Sequence, residues 1–176
     1  MEFVDEVIHV ARMMEVAVKT APKTKGEDFV ACKIVSGGQI KDLAEAMVKF
    51  GKETGKKNFD RDGASVAESQ ALILIGLKRP ATVGLNCGAC GFSTCKELEA
   101  ARATDVEFAG PACSYRHLDM GIAIGSAART AQMFNVDNRI MYRAGVAARR
   151  MGLVDWEFVV GMPLSVSGKN IYFDRK

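Results

Sequence analysis

Very little in this chain of 176 residues points toward a membrane or a nucleic acid. The apolar run Ala71-Leu72-Ile73-Leu74-Ile75 is far short of the ~20 residues that a membrane-spanning helix needs. The first residues, Met1-Glu2-Phe3-Val4-Asp5-Glu6, lack the basic start and apolar stretch of a secretory peptide. A soluble, cytoplasmic protein is therefore expected. Lys and Arg together number 24 against 21 Asp and Glu, a net charge of +3. They gather only into pairs such as Lys56-Lys57 and Arg149-Arg150, which leaves no basis for nucleic-acid binding. There is no Walker loop, no Gly-x-Gly-x-x-Gly, no Ser-His-Asp or Cys-His nucleophile set, no internal repeat and no low-complexity tract. Hydrophobic residues make up 48% of the chain, enough for a sizeable core and against wholesale disorder. The length suits one domain over residues 1–176.

Cysteine is what the chain has instead. There are five, an odd number, which speaks against a framework of paired disulfides. Four lie between positions 87 and 113, and Cys32 stands apart as a small core residue on a strand. The spacing is Cys87-x2-Cys90-x4-Cys95-x17-Cys113. Two cysteines two residues apart reach one centre from a single tight turn, and four thiolates complete the ligand set of a cubane cluster. Gly88 and Gly91 allow the backbone to fold closely around the sulfurs. Thr94 and Glu97 have capping-box spacing, which places Cys95 at the first position of a helix, where negative charge is favoured. Gly110-Pro111 then turns the chain back to present Cys113. A structural zinc is the main competitor, although zinc sites usually pair two Cys-x-x-Cys knuckles and only one occurs here. Disulfides and unligated buried cysteines explain the clustering less well.

Around this segment the pattern alternates helices and strands. Val4, Val7, Ile8, Ala11, Met14 and Val18 form one apolar stripe of a first helix that ends at Ala21-Pro22. Residues 29–35 and 71–77 read as buried strands. Ile40, Leu43, Ala44, Met47 and Val48 mark a second helix that Gly51 should stop, with 51–63 an exposed connection and Ser65 and Glu68 the start of a short helix. Residues 118–131 read as a buried helix capped by Asp119. Ile140, Met141, Ala144, Ala147, Ala148 and Met151 give the inward face of another, capped by Asn135 or Asp137. Residues 156–160 read as a strand, 161–168 as a loop and 170–173 as a short terminal strand. The expected class is α+β: a mixed three-layer core into which an iron–sulfur segment, 86–115, is inserted.

These residues carry resemblances. Cys87 to Cys113 resembles the four-iron four-sulfur domains of the B subunit of Rnf-type electron-transport complexes and of the large subunit of the corrinoid iron–sulfur protein. That implies such a cluster on Cys87, Cys90, Cys95 and Cys113. The whole chain, through Thr20 to Gly26, Asp119 to Ala127, Val136 to Arg139 and Gly168 to Arg175, resembles a family of uncharacterised microbial proteins containing a ferredoxin domain. An opening helix, Ala21-Pro22, a strand, and later Ala147 to Leu153 are similar to flavin-dependent nitroreductases. This implies a nitroreductase-like core, usually an intertwined homodimer with FMN between subunits. The Arg-Ser-x-Arg type segment that binds flavin phosphate in that family is absent near Arg12. Lys23, Lys25, Lys169 and Arg175 could form an anion site or simply keep a loop and tail in water. His117 could support the metal or pack near a turn; His9 reads as structural. The expected function is an iron–sulfur redox protein, passing single electrons to a partner protein, a small-molecule acceptor or a second cofactor, in one version as a flavin-dependent oxidoreductase. Its alternative is a non-catalytic binding protein with a structural or sensory metal.

Overall fold

A computed structural model describes residues 2–173. The elements, in order, are α1 (Val4–Thr20), β1 (Val30–Ser36), α2 (Gly38–Thr54), α3 (Phe59–Ala67), β2 (Ala71–Leu77), α4 (Cys95–Ala100), β3 (Thr104–Asp105), β4 (Ala109–Gly110), α5 (Ser114–Met133), β5 (Asp137–Asn138), α6 (Tyr142–Arg150) and β6 (Phe158–Ser165). Four strands form one antiparallel sheet in the order β1-β2-β6-β5, while β3 and β4 make a separate small hairpin.

Side chains alternate across a strand, and here both faces are covered. Ile73, Ile75 and Leu77 of β2 pack with α1 and α5 on one face. Leu72 and Leu74 pack with α2, α3 and α6 on the other. Every residue of β2 is therefore buried, which is why its sequence reads as an unbroken apolar run rather than an alternation. The α+β, three-layer expectation holds. On the second face α6 lies almost against β6: a β-carbon on Gly145 would stand 1.9 Å from the Val159 carbonyl oxygen, and one on Gly161 2.7 Å from the Ala144 side chain.

Several local expectations are corrected. α2 does not stop at Gly51 but runs on to Thr54, and Gly55 takes the left-handed turn (φ 69°). Gly51 is small for packing: a β-carbon there would meet Phe59 at 2.6 Å. The polar stretch after it hides the start of α3, which buries Phe59 and Asp62, so Ser65 sits inside that helix and donates to the Arg61 carbonyl. Asp137 does not cap α6; it lies in β5 and pairs with Ser165 of β6. Ile140 and Met151 of the expected inward face are exposed.

β6 continues through the expected loop despite Pro163. Gly161 exchanges both backbone hydrogen bonds with Met141, so Pro163, two residues on, turns its missing N–H to the same side. There the chain between Asn138 and Met141 leaves the ladder, and no bond is lost. Residues 170–173 form turns rather than a strand; Tyr172 is buried with its hydroxyl 2.9 Å from that of Ser69.

Candidate functional site

Between β2 and α5 the chain leaves the sheet and builds a cleft. Cys87, Cys90, Cys95 and Cys113 all line it, with Val83, Leu85, Phe92, Leu98 and Tyr115 among its walls and no charged side chain among its lining residues. Cys113 is buried, Cys90 and Cys95 are half-buried and Cys87 is exposed. The sequence-predicted ligands thus come to one place from three separate stretches of chain.

Each stretch is shaped locally and then tied to the next. Gly88 (φ 73°) and Gly91 (φ 88°) both adopt the left-handed region that residues with a β-carbon disfavour, and the Gly91 N–H closes a turn on the Gly88 carbonyl at 2.9 Å. α4 begins at Cys95, as the capping-box spacing implies: the Glu97 N–H donates to Thr94 Oγ1 at 3.2 Å. The Glu97 carboxylate reaches back to the Ser93 N–H, one residue earlier than a standard box, at 3.0 Å. The Cys95 N–H donates to Asn86 Oδ1 at 2.8 Å, joining the flank of Cys87 to α4. Ser114 Oγ donates to the Ala89 carbonyl at 2.9 Å, joining the flank of Cys113 to the Cys87–Cys90 turn. Cys113 itself occupies the N-cap position of α5.

The cleft is narrow, with a cavity volume of about 10 Å³, roughly the room one water needs. Among the described residues no three His, Cys, Asp or Glu side chains are gathered closely enough to hold a single metal ion.

Behind the cleft lies a buried ionic network. α5 starts four residues before the expected 118, so Asp119 is not its cap but sits within it, 3% exposed. Its Oδ1 accepts from the N–H (2.8 Å) and hydroxyl (2.7 Å) of Thr24. Arg116, wholly buried on the same helix, donates to Asp119 Oδ2 (3.3 Å), to the carbonyls of Ala81 (2.9 Å), Thr24 (3.1 Å) and Glu27 (3.4 Å), and to the Glu27 carboxylate. Its guanidinium also lies over the Phe29 ring. Sequence reading missed Arg116. The signal available was its i, i+3 relation to Asp119 on the helix that opens at Cys113.

Other candidates make contacts of their own outside the thiols. Lys23 Nζ donates to the carbonyls of Val18 and Lys19 (2.9 Å for the latter) at the C-terminus of α1. Lys25 Nζ donates to the Val83 carbonyl at 2.6 Å. Lys169 is exposed, and Arg175 lies outside the described residues. Of the two readings of these basic residues, the anion site is not assembled from Lys23 and Lys25, whose ammonium groups are directed at main-chain carbonyls. His117 Nδ1 is 3.3 Å from the Cys113 carbonyl, and its ring packs edge-on to Phe158. Asp137 accepts from Asn170, and Arg139 donates to the Tyr172 carbonyl, so both hold the C-terminal turn. Cys32 donates to Glu15 at 3.5 Å, away from the cleft.

No helix among the described residues is long and apolar enough to cross a membrane. Comparison with solved structures places the fold. Nitroreductase CinD from Lactococcus lactis, solved in complex with chloramphenicol, superposes with a TM-score of 0.60 at 12% identity, over 92% of this chain and 80% of that one. A Desulfovibrio desulfuricans protein described as a nitroreductase, solved with FMN, gives 0.59 at 13% identity over 96% and 78%. Nitroreductase A from Vibrio parahaemolyticus gives 0.55 at 12% identity over 92% of this chain, which spans only 59% of that enzyme's length. The core is nitroreductase-like. In sequence, residues 109–175 match the model of a family described as "Uncharacterized protein containing a ferredoxin domain" (DUF2148), a span that includes Cys113 and not the other three cleft cysteines. An uncharacterised protein of Archaeoglobus fulgidus is 45% identical over 175 residues, 99% of this chain and 95% of its own. With a relative this similar end to end, and its C-terminal part matched by the family model, the chain belongs to the family of uncharacterised proteins containing a ferredoxin domain.

Proposed function

We propose that this protein binds a four-iron four-sulfur cluster through Cys87, Cys90, Cys95 and Cys113, with segment 86–115 as the cluster-binding insertion in a domain spanning residues 1–176. It passes single electrons to or from a redox partner protein or a small-molecule acceptor. One observation carries the reading: four thiols from three stretches line one cleft, and those stretches are cross-tied through the neighbours of the ligands.

The residues present fit the group. Four soft donors are the ligand set such a cluster requires. A tetrahedral zinc with Zn–S bonds near 2.3 Å needs sulfurs about 3.8 Å apart. A cubane cluster instead takes one thiolate at each of four iron corners, and the single Cys-x2-Cys knuckle here departs from the paired knuckles usual for zinc. The cleft must widen to receive a cluster, and its mouth is the glycine-containing turn rather than the sheet. A bound cluster supplies one-electron chemistry. The chain's own part is to hold the sulfurs, exclude water with Val83, Phe92, Leu98 and Tyr115, and place Cys113 at the N-terminus of α5, where negative charge is favoured.

FMN does not fit in the same way. Lys23 and Lys25 are engaged by carbonyls and the nitroreductases' flavin-phosphate segment is absent, so the electron route does not pass through a flavin. A homodimer is part of the proposal, because Leu118, Gly121, Ile122 and Gly125 form an exposed apolar face along α5.

The test is anaerobic purification of Cys90→Ser beside Cys32→Ser. The account expects iron and sulfide to fall sharply in the first and to match wild type in the second. Stoichiometric iron and sulfide in Cys90→Ser would overturn the ligand assignment.

A further inference from the structure

The cleft's lining carries no charged side chain, so any charge felt inside it comes from one layer back. Two cations stand in that layer, each donating to a carbonyl of the segment leading to Cys87. Arg116 bonds Ala81, but Asp119 and Glu27 offset its charge. Lys25 bonds Val83, a residue of the cleft wall, and its Nζ is the nearest heavy atom, at 3.9 Å, to where a β-carbon of Gly84 would stand. No carboxylate lies within 4.0 Å of Lys25 Nζ among the described residues.

The placement is enforced. Lys25 has left-handed backbone angles (φ 60°, ψ 13°), which cost a residue with a β-carbon and persist where surroundings hold them. Asp119 grips Thr24 on one side of Lys25, and Arg116 grips Glu27 on the other. A buried network thus pins a strained turn so that its ammonium faces the cleft wall. A neutral donor or a water would also satisfy the Val83 carbonyl, if more weakly, so the net positive charge is the feature that needs a role.

We infer that Lys25 is a positioning residue that raises the reduction potential of the metal centre in this cleft. This rests on the cluster reading above. One-electron reduction, with dithionite as donor, makes the cluster and its four thiolates one unit more negative, and a fixed cation behind Val83 stabilises that product more than the oxidised form. A unit charge about 10 Å away, at an effective dielectric near 20, shifts such an equilibrium roughly tenfold.

The experiment is a dithionite titration, followed by electron paramagnetic resonance, of anaerobically purified full-length wild type, Lys25→Met and Lys25→Arg, each assayed for iron and sulfide. Lys25→Met is expected to lower the reduced-to-oxidised ratio about tenfold at a given potential, equivalent to about 59 mV for one electron. Lys25→Arg should titrate with wild type, and added salt should narrow the gap. If Lys25→Met loads poorly, Lys25→Gln takes its place with the same expectation. A fully loaded neutral variant that titrates with wild type overturns the role of Lys25 and leaves the cluster standing. Neutral variants that all fail to load also overturn it, because Lys25 is then a structural staple. A wild type without iron and sulfide sinks the cluster reading itself.

Discussion

Arg116 shows how much of the site's integrity rests on a single side chain that does not touch the thiols. It is wholly buried, and its donors are divided among three carbonyls and two carboxylates, one of them the buried Asp119. Replacing it with a residue of similar length removes the cation and leaves the buried Asp119 carboxylate without its ion-pair partner. Breaking a buried pair this way typically costs about 3–5 kcal/mol. Urea unfolding of the cluster-free protein is therefore expected to show Arg116→Met destabilised by roughly that amount. A loss below about 1 kcal/mol would mean that the network is not what holds the 23–27 turn to α5. Cys32 is the contrasting residue. Burial, and then the Glu15 carboxylate, push its thiol up to about 12, so it stays protonated at neutral pH and is a poor ligand and nucleophile. Its isolation from the other four cysteines was readable from position alone. The importance of Arg116 was not, because its partners Thr24 and Glu27 are about ninety residues away in the chain.

Elements were legible where one local signal dominated. The stripe of α1 and the apolar run of β2 predict those elements within a residue or so, and the Thr94–Glu97 spacing places the start of α4 at Cys95. Signals failed where tertiary packing overrode them. Gly51 reads as a stop but serves close packing against Phe59, and Asp119 reads as a cap but is a buried partner of Thr24. Pro163 reads as a strand breaker but falls where the neighbouring ladder is already open. α5 raises a different question. It is apolar on most sides, yet Leu118 and Ile122 are 59% and 47% exposed, and nothing lies within 4 Å of a β-carbon added at Gly121 or Gly125. Under the homodimer proposal those glycines let a second copy approach closely. Gly125→Ala is then expected to weaken self-association in sedimentation equilibrium. A chain that is monomeric in solution would instead gain about 0.5–1 kcal/mol from the better helix former.

On the scale of the whole molecule, a nitroreductase-like three-layer core supports a cysteine cleft built on the N-terminus of α5 and the chain that leads to it from β2. The sheet and its five packed helices were predictable in class because hydrophobic periodicity reports burial directly. The cleft was predictable in composition, since the spacing of four cysteines is a local pattern. Its cross-ties through Asn86 and Ser114, and the ionic network behind it, join stretches whose proximity only the folded chain reveals. The Val83–Lys25 bond likewise couples the cleft wall to the turn after α1. The central claim remains the convergence of those four sulfurs on one inorganic group. Native mass spectrometry of wild-type protein purified and sprayed without oxygen tests it most directly. The account predicts a mass excess of about four irons and four sulfides on each chain. A mass excess of one zinc per chain, with no inorganic sulfide, would contradict it.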